Sequence, residues 1–390
     1  MLKARSLFVL ILAVVLMLST SGQAQQNPAP PEDDLRVTDH YVRHRSQVPV
    51  IAGQPVQLYV QEKALVQPRP GPPRGTVLIV HGATYPTTPA FDIQHKDYSW
   101  MDFLARAGFR VFAVDMEGYG KSSRPWPMED PCNLSPAKQQ LLVPDVLDAV
   151  CEPSYPFALT TNASDWAALD SVVDFIRKRS GEDRVNLVGW SQGGTRTGGY
   201  AALHPEKVNK LVAFAPAYQR SSGDAPPAQP PGAAFTIQDR EGFLDRWNSE
   251  VSCEDQVDPD VQEAMWRQSL ASDQVAATWG HGFIRRPTNA GLFGAGGWNA
   301  ALAAQVRAPA LLIAGDLDET VPAANVRDLY EDLGSRDKMF VLAHCASHFM
   351  HAETDYQVLQ NIVLSWLVRG RAMGQRDGVL NVETATATKP

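Results

Sequence analysis

The segment Gly189-Trp190-Ser191-Gln192-Gly193-Gly194 lies between an apolar run and a helical pattern. It fits the spacing G-x-S-x-G, in which a strand turns abruptly into a helix and lifts a serine hydroxyl clear of the sheet. Such a turn strains the serine backbone, so its neighbours must be small, and glycines at 189 and 193 relieve the clashes. Ser191 is therefore the candidate nucleophile of an acyl-transfer reaction.

That chemistry needs three further groups. Two N–H donors must face the oxyanion that forms on the attacked carbonyl. The backbone N–H of Gln192 is one, and the loop His81-Gly82-Ala83-Thr84, directly after the apolar run 76–80, offers the other at Ala83. His81 itself reads as structural, because Gly82 pins it beside the serine and not against it. An orienting carboxylate belongs at the end of a late strand, and Leu311-Leu312-Ile313-Ala314-Gly315-Asp316-Leu317-Asp318 supplies two competitors. Asp318 is preferred: it stands three residues past Gly315, just before Val321-Pro322 restarts the chain into a helix, leaving Asp316 to brace the turn. The base should follow the last strand, where His344, His348 and His351 cluster. His348 is preferred; His344 lies too close to the strand end, and His351 reads as a loop or helix-start residue.

These groups are far apart in sequence, so the elements between them must bring them together. Residues 36–45 and 56–62 alternate polar with apolar side chains, as half-exposed strands do, whereas 76–80 (TVLIV) is apolar throughout and reads as a strand buried on both faces. The Pro/Gly-rich stretch 68–75 connects the two patterns. Strand-like runs then recur at 110–114, 185–188, 210–214, 310–314 and 339–342, the last expected to be the final strand. Helical spacing marks 99–107, 165–179, 195–203 and the closing 356–369. Alternation of this kind predicts an α/β fold: a mostly parallel central sheet with helices on both faces. The core is expected at 36–216 and 308–373. Residues 217–307 interrupt it as an inserted helical cap, with helices around 241–250 and 260–279, and the Pro-rich stretch 122–162 is an additional loop beside it. The cap aromatics Trp247, Trp266, Trp279, Trp298, Phe235, Phe243, Phe283 and Phe293 mostly pack it onto the core, with some left to line an apolar pocket. Arg285-Arg286 reads as a solvated pair, with contact to an anionic substrate group as the alternative.

Residues 1–24 read as an export signal: Lys3 and Arg5 precede an apolar run of about a dozen residues, too short to cross a bilayer of roughly 30 Å, and Gly22 and Ala24 suit cleavage. Residues 25–35 are polar and Pro-rich, a disordered leader, and 374–390 form a flexible tail. The mature chain, periplasmic or extracellular, then carries no stable membrane span. Export makes disulfides plausible for the four cysteines; Cys132 and Cys151 bracket one insertion, so Cys132–Cys151 and Cys253–Cys345 are the favoured pairs. The 390-residue chain has a net charge of −8 and no basic stripe, which argues against a nucleic-acid partner. Neither a zinc-type ligand spacing nor a G-x-G-x-x-G loop is present, so no metal and no cofactor are expected.

The chain resembles the α/β-hydrolase superfamily over nearly all of residues 36–369. Beyond the motifs above, Asp115-Met116-Glu117-Gly118-Tyr119-Gly120-Lys121-Ser122 is similar to the family's D-x-x-G-x-G-x-S loop, and His348 with Glu353 resembles its histidine followed by a glutamate. The resemblance implies a triad of Ser191, Asp318 and His348 and no cofactor. It departs from dehalogenases and epoxide hydrolases, which carry an aspartate where Ser191 stands, and the long 122–162 insertion departs from the compact members. The expected partner is a small-molecule carboxylic ester. Amide, lactone or carbon–carbon bond hydrolysis on the same three residues, and a non-catalytic binding protein on the same scaffold, are the alternatives.

Overall fold

The residues of TVLIV are all fully buried, which only the middle of a sheet covered on both faces allows. The computed structural model describes residues 34–67, 74–223, 229–291 and 296–383. The expected export signal, most of the leader and of the 68–75 connection, Phe293 and the last seven residues of the expected tail lie outside the described residues. In chain order the first elements are β1 (Leu35–Arg45), β2 (Pro55–Leu65), β3 (Thr76–Val80), α1 (Thr87–Phe91), α2 (Trp100–Arg106) and β4 (Arg110–Val114). There follow α3 (Pro136–Gln139), α4 (Asn162–Ser180), β5 (Val185–Trp190), α5 (Gln192–Leu203) and β6 (Val208–Phe214). The second large insertion holds β7 (Phe235–Gln238), α6 (Arg240–Asn248), α7 (Pro259–Ser272), β8 (Ile284–Pro287) and α8 (Ala300–Ala303). The chain then runs through β9 (Ala310–Gly315), α9 (Ala323–Asp332), β10 (Lys338–His344), α10 (Tyr356–Arg369) and β11 (Gly378–Glu383).

Nine strands form one sheet in the order β1-β2-β4-β3-β5-β6-β9-β10-β11. Only β1 with β2 and β2 with β4 pair antiparallel; every other pairing is parallel. Parallel strands all point their carboxyl ends to one edge, so the loops after β3, β5, β9 and β10 share that edge. These are the loops that carry the candidate residues. Local sequence sets the helices between them. Thr161 and Ser164 cap α4 reciprocally, and Gly181, at φ 74°, ends it in the left-handed conformation that glycine tolerates.

Five expectations need correction. Residues 378–383, expected in the flexible tail, form β11 and pair parallel with β10 from Met339↔Gly378 to His344↔Glu383. The polar composition concealed a strand because β11 is an edge, where outward side chains stay solvated. It follows that 339–342 is not the final strand; separately, Leu35, expected in the leader, opens β1 and pairs with Leu65. The 217–307 insertion is not purely helical: β7 and β8 pair antiparallel within it. Nor is 122–162 merely a loop beside it. Met128, Leu142 and Leu159 share a small core with Phe235, Trp279 and Phe283, and Leu159 and Thr160 donate to Thr288 O at 3.1 and 3.0 Å. The two insertions are one packed unit.

Both favoured disulfides form, Cys132–Cys151 with Cα atoms 5.3 Å apart and Cys253–Cys345 with Cα atoms 5.8 Å apart. No described helix is long and apolar enough to cross a membrane. Opening the 19-residue loop with Cys132→Ser/Cys151→Ser should cost about 3 kcal/mol of stability. A urea titration of the double variant should show a lower midpoint; an unchanged midpoint would contradict a stabilising role for this bridge.

Candidate active site

Ser191 ends β5 and starts α5, and its backbone lies at φ 56°, ψ −120°. This is a conformation that L-residues rarely adopt, and it persists only where surroundings enforce it. Ser191 N donates to Phe214 O at 2.8 Å, while Ser191 O accepts from Gly194 N at 2.9 Å and Ala217 N at 3.1 Å. The small neighbours are required by contact. A Cβ at Gly193 would run into the carbonyl oxygens of Val80 and His81, and one at Gly82 would sit 3.0 Å from Ser191 Cβ. The loop after β3 therefore touches the serine.

That loop is held by its carbonyls. His81 Nδ1 donates to Gly82 O at 2.7 Å and His81 Nε2 accepts from Met116 N at 3.0 Å. A ring with one donating and one accepting nitrogen is neutral, and burial pushes its pKa well below the usual value, with the Arg196 charge adding to the effect. His81 is structural, as its glycine neighbour implied. Arg196 Nη1 donates to His81 O at 3.0 Å and Gly82 O at 3.2 Å, and its Nε bonds Asp165 Oδ2 at 2.8 Å, all buried. In a trans peptide the C=O and the next N–H point in opposite directions. Holding Gly82 O toward Arg196 thus turns the Ala83 N–H away from it. Tyr119 Oη, donating to Ala83 O at 2.7 Å, fixes the following peptide. Gln192 N belongs to the first turn of α5, whose amides have no carbonyl one turn back within the helix.

The base and acid candidates meet. His348 Nδ1 and Asp318 Oδ2 are 2.8 Å apart, with side chains 4% and 0% exposed, so solvent screens this pair little. Asp318 Oδ1 also accepts from Val321 N at 2.7 Å. Asp316 instead pairs with His344 Nδ1 at 3.0 Å in a half-exposed contact. The indole of Trp190, the residue before the serine, donates to His348 O at 2.8 Å, and the two rings lie 5.4 Å apart. His348 is thereby anchored to the residue that precedes Ser191. His351 is buried, stacked 4.7 Å from Phe91, and burial with the neighbouring His348 brings its pKa down to about 3.

Two residues that position the histidine loop, Glu250 and Gln256, had no signal in the sequence, whereas Glu353 was marked by its spacing from His348. Glu250, 98 residues before His348, accepts the His348 N–H at 2.8 Å through Oε2 and the Thr320 hydroxyl at 3.1 Å through Oε1. One carboxylate from the insertion thus bridges the histidine loop and the aspartate loop. Glu353 accepts from Ser347 N at 3.0 Å, Gln256 Nε2 at 3.1 Å and Trp247 Nε1 at 3.3 Å. Trp247 stacks on Phe349 with centroids 4.4 Å apart. Together with the Cys253–Cys345 disulfide, these contacts tie residues 247–256 to the histidine loop. Of the cap aromatics, Trp247, Phe243, Phe235 and Phe283 are fully buried, as expected of packing residues.

Comparison with known proteins matches residues 75–355 to a family model described as alpha/beta hydrolase fold. A serine hydrolase involved in carbazole degradation superposes with a TM-score of 0.52 at 18% identity, covering 85% of this chain and 99% of that one. A thermophilic esterase from Thermogutta terrifontis gives 0.51 at 16% identity, covering 84% and 98%. At these identities the likeness is one of fold. Over 82 residues, 21% of this chain, the sequence is 38% identical to a poly(3-hydroxyalkanoate) polymerase subunit of Haloferax mediterranei, but the stretch spans only 13% of that protein. A 44-residue match to the corresponding subunit of Allochromatium vinosum is 50% identical and spans 11% of this chain and 12% of that one.

Burial pushes the Glu353 carboxyl up from 4.5 to about 7, against the hydrogen bonds from Ser347, Gln256 and Trp247. The folded state therefore binds more protons than the unfolded one between these values. Stability from this group is complete below pH 4.5 and is lost as pH rises through about 7. Glu353→Gln should remove that slope. The unfolding free energy of the native protein minus that of the variant should fall by about 3 kcal/mol across this range and then level off. Urea titrations at several pH values check it; parallel stability curves would contradict it.

Proposed function

Given that the chain belongs to the α/β-hydrolase superfamily, we propose that it is an exported serine hydrolase that cleaves carboxylic esters through an acyl-enzyme on Ser191. The observation that carries this reading is the buried 2.8 Å contact between Asp318 and His348, anchored by Trp190 beside a serine in a strained strand-to-helix turn. An aspartate on Nδ1 selects the tautomer whose Nε2 lone pair is available, so His348 can take the Ser191 proton as the hydroxyl attacks the ester carbonyl. Asp318 then stabilises the imidazolium. The N–H groups of Ala83 and Gln192 hold the oxyanion, and the Arg196 clamp on the 81–82 carbonyls keeps the Ala83 donor aimed before substrate arrives. His348 returns the proton to the leaving alcohol, and water, activated by the same nitrogen, releases the acid. The name of the Thermogutta terrifontis fold relative, an esterase, accords with this substrate class. Export is supported by two disulfides, which persist in oxidising compartments, and by the charged, then apolar, then small-residue pattern of residues 1–24.

Ser191→Ala should lower kcat on p-nitrophenyl esters by about four to six orders of magnitude. Its circular dichroism and urea midpoint should stay close to those of the native protein. Retention of most activity would end the proposal, and a preference for amides or lactones over esters of equal acyl length would overturn its substrate class. Glu250→Ala removes the acceptor of the His348 N–H, so kcat should drop by about ten- to a hundredfold with KM little changed. An equal loss through KM alone would mean that Glu250 shapes binding instead.

A further inference from the structure

Arg285 and Arg286 are adjacent on β8, so the alternation of a strand points their side chains to opposite sides. Arg285 turns into the insertion, where it is buried and fully engaged. Its Nη2 bonds Asp273 Oδ1 at 2.8 Å, its Nε bonds Asp273 Oδ2 at 3.0 Å, and its Nη1 bonds Met128 O at 2.7 Å. Arg286 is half-buried, and among the described residues its guanidinium has neither an ion pair nor a hydrogen bond. A cation withdrawn from water without an anion is costly, and such a group is completed by a ligand that brings the charge.

Arg286 faces the catalytic side. Ile284, two residues earlier on the same face of β8, belongs to the main core with Tyr85, Tyr119 and Trp190. The opposite face turns to the insertion: Phe283 lies in its small core, and Pro287 packs on the loop that carries Tyr119, where a Cβ at Gly118 would lie 2.9 Å from Pro287 Cγ. Tyr119 in turn holds Ala83 O at 2.7 Å. The positive charge of Arg286 is felt by the hydroxyls of both Tyr119 and Tyr85, the two tyrosines that flank the Ala83 loop. Tyr85 is 2% exposed and wedged between Trp190 and Phe243, with ring centroids 6.2 and 5.3 Å away. Its hydroxyl has no hydrogen-bond partner among the described residues, although burial raises its pKa and keeps it a protonated donor. Gln192 Nε2, on the residue after the nucleophile, is likewise buried without a partner. Arg246, whose guanidinium donates to Thr320 Oγ1 at 2.8 Å, adds a second positive charge toward Tyr85.

We propose that Arg286 and the Tyr85 hydroxyl form an anion subsite beside the nucleophile, so that the preferred substrates are esters carrying a free carboxylate. The planar guanidinium matches a carboxylate with two parallel N–H···O bonds, and the phenol supplies a third donor. This inference rests on the ester-hydrolase reading above and names its substrate class. Nothing in it adds a covalent step: the carboxylate is held, and the ester carbonyl reacts.

The test compares two p-nitrophenyl esters of equal acyl length on the full chain, one ending in a carboxylate and one in its methyl ester. The native protein should favour the anionic ester in kcat/KM. Arg286→Gln should lower the anionic-to-neutral ratio by about ten- to a hundredfold, Arg286→Lys should restore part of it, and Tyr85→Phe should lower it by a smaller factor. Hydrolysis of both esters with equal kcat/KM by the native protein, or a ratio that Arg286→Gln leaves within twofold, would overturn the anion subsite alone. Turnover of neither ester would instead overturn the hydrolase reading on which it rests.

Discussion

The site depends on one backbone conformation. Ser191 is held at φ 56° and ψ −120°, a state that costs about 1–3 kcal/mol for a residue with a Cβ. The surrounding structure enforces it through three backbone hydrogen bonds to Phe214, Gly194 and Ala217. Much else follows from accommodating that bend. Glycine is needed at 193 because Val80 O and His81 O close over it, and at 82 because the serine lies against it. The donor loop can approach so closely only because β3 and β5 are direct neighbours in the sheet, in register from Val77↔Asn186 to Val80↔Gly189. The strain is stored where the chemistry would use it and is offset by a core in which β3, β5 and β6 are almost wholly buried.

A second layer of contacts positions the histidine, and it comes from outside the sheet. Glu250 holds the His348 amide, Cys253 is bonded to Cys345, and Trp247 lies over Phe349. Residues 247–256 therefore belong structurally to the His348 loop as much as to the insertion. A cap that moved freely as a rigid lid would have to break the Glu250 contact or carry His348 with it. Changes in this segment should register at the site even though none of its side chains hydrogen-bonds to the serine.

The sheet and the candidate site residues were legible in the sequence because their signals are local. An apolar run such as TVLIV declares a buried strand by itself, and G-x-S-x-G declares its turn within five residues. The choice of Asp318 over Asp316 was readable from its place beyond Gly315, and the structure pairs Asp318 with His348 and Asp316 with His344. Arg196, Asp165 and Glu250 were not readable: each works through partners 31 or more residues away, and in sequence each is one charge among many. The short strands β7 and β8 have too few residues for periodicity to separate them from loop, and the edge strand β11, half solvated, lies within a stretch whose polar composition reads as tail. The different fates of Arg285 and Arg286 became visible only once β8 was recognised as a strand.

The central claim is that the fold makes the hydroxyl of Ser191, among all the serines of the chain, a nucleophile. A fluorophosphonate probe followed by peptide mass spectrometry tests this directly, since the probe bonds only to an activated hydroxyl. The account predicts a single adduct on the peptide containing Ser191, formed by the folded protein and lost on denaturation or in His348→Ala. Labelling at another serine, or none on the folded protein, would contradict it.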